Sequence, residues 1–87
     1  MQAFFSKEFR KKYQKLQKSV QQKFDERLEL FLSTPSHPLL HNHALTAEWA
    51  GCRSINVTGS YRAIYRHEDE ATVRFLAIGT HPELYGS

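Results

Sequence analysis

Guanidinium, imidazole and phenol side chains are the groups in this chain that could carry chemistry, and several fall near the ends of candidate strands. Arg62 has a planar guanidinium that can hold a phosphate through parallel hydrogen bonds. His81 has a ring that can gain and lose a proton near neutral pH. Tyr85 can stack on a base or donate a hydrogen bond. These three side chains would suit a site that binds a phosphate and moves protons.

Each of these residues also has a structural alternative. Arg62 could pair with Glu48 or another acid, His81 could cap the end of a strand, and Tyr85 could pack its ring on the edge of the core. The "HNH" at 41–43 raises the question of a metal. Zinc sites usually add cysteines or carboxylates at set spacings, and neither pattern occurs here. We therefore expect no metal and no cofactor.

The length, charge and cysteine content of the chain limit what kind of protein it can be. The chain has 87 residues and a formal net charge of +3, and this length predicts one domain over residues 1–87. Cys52 is the only cysteine, which excludes an internal disulfide and favours a reducing compartment. No apolar run approaches the roughly 20 residues of a membrane span. We expect a cytoplasmic protein with no membrane partner.

The basic residues are concentrated in the first third. Residues 1–30 hold eight Lys or Arg and four Asp or Glu. Such a segment is either a solvated helix face or a surface that attracts nucleic acid.

The first third also has helical periodicity. Apolar residues recur at spacings of three and four from Phe9 to Phe31. Ser6 is suited to be the first N-cap. Ser19 with Gln22 predicts a capping box that divides the segment into helices over about 6–18 and 19–33. Two prolines, at 35 and 38, end the second helix. The segment therefore predicts a helical hairpin.

The second half predicts a sheet. "CRSINVT", "YRAIYRHE" and "TVRFLAIG" are short and rich in β-branched and aromatic residues. "QAFF" at 2–5 is an expected edge strand, and "ALTAEW" at 44–49 is a short strand or a loop. The predicted fold class is α+β, with the helical hairpin packed on one face of a small, mainly antiparallel β-sheet.

The loop between the first two of these strands decides which residues face the helices. A two-residue loop would mix polar and apolar residues on both faces. A three-residue loop over 58–60 pairs Asn56 with Arg62 and gives one apolar face, because side chains alternate with a period of two. That face contains Ile55, Val57, Tyr61, Ala63 and Tyr65. Ser54, Asn56, Arg62 and Arg66 then form an open polar face.

The ordered segments "HNHAL", "EWAGCRSI", "GSYRAIYR" and "IGTHPELYG" behind a helical hairpin resemble the RelE/ParE toxin superfamily of type II toxin–antitoxin modules. The similarity is closest to YafQ-like mRNA interferases and covers nearly the whole chain. It implies two helices on an antiparallel sheet whose other face is concave and open. It also implies metal-free cleavage of mRNA on the ribosome, and a cognate antitoxin with an acidic segment.

The resemblance also implies roles for individual residues. His43, Arg62, His81 and Tyr85 are the expected catalytic residues. Arg62 would hold the phosphate, and the two histidines would serve as acid and base. The residues expected to contact RNA are Lys11, Lys15, Arg53, Asn56 and Arg66.

Two positions depart from the family pattern. Asn56 lies where members have a catalytic lysine or histidine, and Ser60 where YafQ-like members have an aspartate. An amide cannot act as a general base. Two alternatives therefore stay open: a ParE-like inhibitor of DNA gyrase, and an inactive binding module with the same fold.

Overall fold

The computed structural model describes residues 1–86. Its helices and strands are β1 (Gln2–Phe5), α1 (Lys7–Lys15), α2 (Lys18–Ser33), β2 (His43–Ala44), β3 (Arg53–Asn56), β4 (Tyr61–Asp69), β5 (Thr72–Thr80) and α3 (His81–Tyr85). Two short 3-10 turns lie at Pro38–Leu40 and Ala47–Trp49. No helix in the part of the chain described is long and apolar enough to cross a membrane.

The sheet has five strands in the order β1-β5-β4-β3-β2. β1 pairs in parallel with β5, and the other neighbours are antiparallel. The α+β class and the edge position of β1 are confirmed. The segment at 44–49, left open as strand or loop, divides into the end of β2 and a 3-10 turn.

The helical hairpin is confirmed, but its break point was predicted wrongly. Ser6 caps α1 as expected, because its hydroxyl accepts a hydrogen bond from the Phe9 backbone amide. The capping box at Ser19 does not form, since α2 already begins at Lys18 with Gln17 as its N-cap. Leu16 and Gln17 have extended backbone that reverses the chain. The chain reversal at Leu16 and Gln17 therefore sets where α2 begins, and the Ser19–Gln22 pattern does not.

The predicted register between β3 and β4 is confirmed. Ile55 pairs with Ala63 and Asn56 with Arg62. The Val57 amide donates to the Tyr61 carbonyl at 3.0 Å, which closes the three-residue loop. Tyr65 is accordingly buried on the helix side of the sheet.

A bulge in β5 changes the alternation of its side chains. Ile64 of β4 pairs with Ala77, whereas the next residue, Tyr65, pairs with Phe75. Leu76 is the extra residue. Because a bulge shifts the period of two by one position, both Ile78 and Phe75 reach the helix side. The sequence carried no clear signal for this shift.

Aromatic rings fill the space between the helices and the sheet. Phe24 lies 5.2 Å from Phe9 and 5.5 Å from Phe75, measured between ring centroids. Phe31 lies 4.8 Å from Tyr65 in an edge-to-face arrangement. All five side chains are at most 2 % exposed. Edge-to-face and tilted pairs add to the stabilisation from area burial.

The opposite face of the sheet was predicted to be open and polar, and this is correct only in part. Ser54 and Ile64 pair across β3 and β4 on this face, and both are 0 % exposed. The Trp49 indole nitrogen donates to the Leu84 carbonyl at 3.0 Å. This bond joins the segment before β3 to α3, and the connection crosses the intervening strand. The centre of the face is therefore covered, and Arg62 stays partly exposed beside it.

Candidate functional site

Arg62 is held by backbone carbonyls of the β3–β4 loop. Its Nη1 donates to the carbonyls of Thr58 at 2.9 Å and Tyr61 at 3.0 Å. Among residues 1–86 no carboxylate forms an ion pair with Arg62, so the alternative of a pair with Glu48 does not occur. Carbonyls orient a guanidinium without cancelling its charge. The charge of Arg62 therefore stays available for an anion.

His81 and Tyr85 lie together on α3. They are four residues apart in a helix, and their ring centroids are separated by 4.5 Å. α3 follows β5 directly, and Thr80 at the end of that strand pairs with Tyr61, the neighbour of Arg62. The imidazole and the phenol are thus delivered to the end of the sheet where Arg62 lies.

Gly79 allows α3 to fold back over the Arg62 face. Gly79 pairs directly with Arg62, so a side chain at 79 would point to the same face. A Cβ atom there would lie 3.0 Å from Glu83 Oε1. That separation is shorter than most Cβ contacts, so a side chain at 79 would require Glu83 to shift by a few tenths of an ångström.

Glu83 fixes α3 through a capping box and an ion pair. Its carboxylate accepts from the Thr80 backbone amide at 2.7 Å, and the Lys12 ammonium pairs with the other oxygen. The Lys12 hydrogen bond, followed by the Thr80 amide, lowers the pKa of Glu83 to about 2. Lys12 was not among the predicted site residues, because a contact 71 positions along the chain leaves no local signal.

His43 lies on the same face as Arg62. It pairs with Ser54, whose side chain points away from the helices. The His43 ring nitrogen Nδ1 is 2.9 Å from the His41 carbonyl oxygen. A carbonyl only accepts, so in the neutral ring Nδ1 carries the proton and Nε2 offers its lone pair. β2 and β4 are two strand spacings apart, about 10 Å.

Asn42 positions the His43 segment, although it was not among the predicted site residues. Its amide nitrogen donates to the Tyr65 hydroxyl at 2.8 Å and to the Pro35 carbonyl at 3.1 Å. Its amide oxygen accepts from Arg53 Nε at 2.7 Å. In the sequence, the one indication of this role is that Asn42 is a polar residue between two histidines.

The structure separates the residues expected to contact RNA. Arg53 pairs with Tyr65 and lies on the helix side, away from Arg62. Arg66 shares the Arg62 face but lies four residues along β4, where it is exposed and 3.9 Å from the Glu68 carboxylate. The remaining basic residues of this set lie exposed on α1; they are Lys11 and Lys15.

Of the residues expected to contact RNA, Asn56 is the one that pairs with Arg62 across the strands. Its amide oxygen is buried and has no hydrogen-bond partner among residues 1–86, and the same holds for the Ser54 hydroxyl. Buried polar atoms are usually paired. The face therefore holds two buried polar atoms without partners near a guanidinium, and one imidazole–phenol pair lies at the strand end. Within the described residues no three metal-binding side chains come together.

A family model described as "ParE toxin of type II toxin-antitoxin system, parDE" matches residues 3–85. The chain belongs to this toxin family. Among curated protein sequences, none matches this ParE-family chain significantly.

Solved structures of toxins are similar to this ParE-family chain throughout. YafQ from E. coli strain BL21(DE3) is 25 % identical with a TM-score of 0.81, and the match covers 97 % of each chain. The E. coli DinJ–YafQ toxin–antitoxin complex gives 26 % identity and a TM-score of 0.73, covering 97 % of this chain and 96 % of the other. The RelBE2 toxin–antitoxin complex of Mycobacterium tuberculosis gives 27 % identity and a TM-score of 0.74, and the match covers 92 % of this chain and 96 % of the other. The resemblance to RelE, ParE and YafQ toxins is confirmed.

Proposed function

We propose that this toxin cleaves mRNA on the ribosome. The observation that carries the proposal is Arg62: a guanidinium oriented by carbonyls, free of carboxylates, on the sheet face that also receives His43 and the His81–Tyr85 pair. Phosphoryl transfer needs positive charge at the phosphorus centre and a proton acceptor and donor on either side of it. These side chains supply those groups without a metal.

The proposed reaction is an internal transfer within the RNA. The 2′-oxygen forms a bond to phosphorus, and the bond from phosphorus to the 5′-oxygen breaks. His43 takes the 2′-hydroxyl proton on Nε2, the nitrogen left free by the bond from Nδ1 to His41. His81 gives a proton to the leaving 5′-oxygen. Arg62 stabilises the charge on the phosphate oxygens during the transfer.

Asn56 has a different role from the ionisable residues found at its position in relatives. It cannot take up the proton, but its partly exposed side-chain amide can contact a ribose hydroxyl or a phosphate oxygen. We assign it to substrate positioning beside Arg62. Tyr85 would stack on a base and keep His81 in place.

Inhibition of DNA gyrase is the second candidate. It is favoured by one observation: the side chains between Arg62 and His43 on this face, Ser54 and Asn56, are not ionisable. A face with fewer proton-transfer groups than a nuclease site is compatible with binding alone.

Induction of the toxin in cells distinguishes these functions. Primer extension on a reporter mRNA should give cuts in phase with codons. DNA breaks with intact mRNA would instead support gyrase poisoning, and unchanged growth would support an inactive module. Arg62→Ala should abolish the cuts, and Arg74→Ala is the matched control. Arg74 is another sheet arginine, but it pairs with Glu68 and lies near the start of β5, at the other end of the strand from Arg62 and α3.

The expected partner is an antitoxin with an acidic, largely disordered segment that folds on contact. The complexes of YafQ with DinJ and of RelBE2 support a protein partner. The net charge of +4 on residues 1–30 would attract the acidic segment of the antitoxin. The antitoxin must also cover the surface around Arg62 to block cleavage. Association should therefore slow as ionic strength rises. A rate that does not depend on salt would remove the electrostatic half of this proposal. We place the toxin in the cytoplasm, where ribosomes are found.

A further inference from the structure

A concave site lies beside the proposed catalytic residue Tyr85. It is an open pocket of about 220 Å³ between the segment that precedes β3 and the helix α3. Trp49, Leu45 and Glu48 line it from one side, and Leu84 and Tyr85 from the other. Tyr85 also belongs to the proposed catalytic group, because its ring packs 4.5 Å from His81. The pocket therefore opens next to the place where the cleaved phosphate would lie.

The aromatic walls are fixed before any ligand binds. The Trp49 indole is tied to α3 by its 3.0 Å hydrogen bond to Leu84. The Tyr85 ring is held against His81. Flat aromatic side chains with apolar neighbours are the surfaces on which single-stranded RNA bases stack. A wall that is already ordered loses little entropy on binding.

Glu48 gives the pocket a chemical preference. Among residues 1–86 no cation lies within ion-pair distance of its carboxylate. A carboxylate only accepts hydrogen bonds, and its two oxygens match two adjacent N–H donors. Guanine presents such a pair, the ring N1–H and the exocyclic amino group. Adenine and cytosine place one amino group beside an acceptor, and uracil places one N–H between two carbonyls.

We propose that this pocket binds a guanine base of RNA adjacent to the phosphate held by Arg62. This inference rests on the proposed function for its biological meaning, but the pocket and its ligand can be tested without cleavage. Trp49 and Tyr85 supply stacking, and Glu48 selects the base. The pocket would thereby determine which codons are cut.

Trp49 is the only tryptophan of the chain, so its fluorescence reports on this pocket alone. The test is titration of the wild-type protein with each of the four 5′-mononucleotides. GMP should quench Trp49 and bind about tenfold more tightly than AMP, CMP or UMP. Equal binding of all four nucleotides, or an unchanged Trp49 signal with all of them, would overturn the proposal.

Glu48→Gln removes the charge and one acceptor with almost no change in shape. It should weaken GMP binding about tenfold while AMP binding is unchanged. Glu70→Gln, in the exposed turn between β4 and β5, is the matched control and should bind GMP like the wild type. If Glu48→Gln keeps the preference for GMP, the assignment of Glu48 is wrong.

The same variants separate this inference from the proposed function. Guanine-selective binding in a protein that leaves mRNA intact would support the pocket and reject the nuclease. Cleavage at positions unaffected by Glu48→Gln, together with no GMP preference, would reject the pocket and leave the nuclease standing.

Discussion

The two faces of the sheet are built on different principles. The face toward α1 and α2 is packed with aromatic rings, and Phe31 and Phe75 there are 0 % exposed. The other face carries Arg62 and Asn56, and its cover is a 3-10 turn linked to the five-residue helix α3. On this second face Ser54 Oγ and Asn56 Oδ1 are buried without hydrogen-bond partners among residues 1–86, whereas the buried cluster of the first face is made of hydrophobic and aromatic side chains.

This difference indicates a division of labour. Aromatic packing stabilises the fold through area burial and ring geometry, and it needs no ligand. On the other face the charge of Arg62 is not neutralised by a carboxylate among residues 1–86, so this face is suited to an anion. Substitutions on the aromatic face should therefore lower stability, and substitutions around Arg62 should lower RNA cleavage.

The largest effect should come from the aromatic face. Phe31→Ala removes a ring packed against Tyr65 and Phe75, and it should lower the free energy of unfolding by about 3–5 kcal/mol. Urea unfolding followed by circular dichroism measures the change. Leu32→Ala, one residue along α2 and 37 % exposed, is the control and should cost under about 1 kcal/mol. Equal losses in the two variants would contradict the comparison.

On the other face, activity should fall without a loss of stability. Arg62→Ala and His81→Ala should each slow RNA cleavage by about 10²-fold or more, because they remove charge stabilisation and proton transfer. Their melting temperatures should stay near that of the wild type. His67→Ala, an exposed histidine on β4, is the control for His81. Full activity of His81→Ala in a stable protein would show that this histidine has no catalytic role.

Tyr85 should have a smaller effect than Arg62. Replacing it by alanine removes a stacking surface worth about 1–3 kcal/mol per base. Tyr85→Phe keeps the ring and should retain most of the cleavage rate, which single-turnover kinetics can measure. A loss in Tyr85→Phe as large as in Tyr85→Ala would mean that the hydroxyl, and not the ring, carries the function.

The smallest effect should appear at low pH. Because the pKa of Glu83 is lowered to about 2 when folded, the Lys12–Glu83 pair stabilises the native state fully above the ordinary pKa of 4.5. This contribution should be lost as pH falls from 4.5 toward 2. Unfolding measured over that range should show a steeper loss for the wild type than for Lys12→Met. Identical pH profiles would mean that the pair contributes nothing.

Local sequence patterns were sufficient to predict the aromatic face of the sheet, but they were not sufficient to predict the opposite face. The spacing of Phe9, Phe24 and Phe31 predicted the helices, and the parity of the β3–β4 loop placed Tyr65 in the core. The same parity also puts Arg53 on the helix side, apart from Arg62, so its contact with RNA stays an untested prediction. Alternation of side chains is a local property, and it can be read from the sequence wherever no bulge intervenes.

The features that the sequence did not reveal depend on distant contacts. Ser54 is buried on the face expected to be open, and the bond across that face joins Trp49 and Leu84, which are 35 residues apart. The bulge at Leu76 shifts β5 without a glycine to mark it. The candidate site could be predicted in part because "IGTHPELYG" resembles known toxins. Its supports, Asn42 and Lys12, come from pairings that only the folded chain brings together.

The most direct test of the central claim is cleavage of two matched mRNAs on purified ribosomes. One has ribose throughout, and the other carries a single 2′-deoxy nucleotide on the 5′ side of the cut. If the sheet face around Arg62 transfers phosphate by attack of the 2′-oxygen, the wild-type protein should cut the first mRNA and leave the second intact. Cleavage of both, or of neither, would contradict the account.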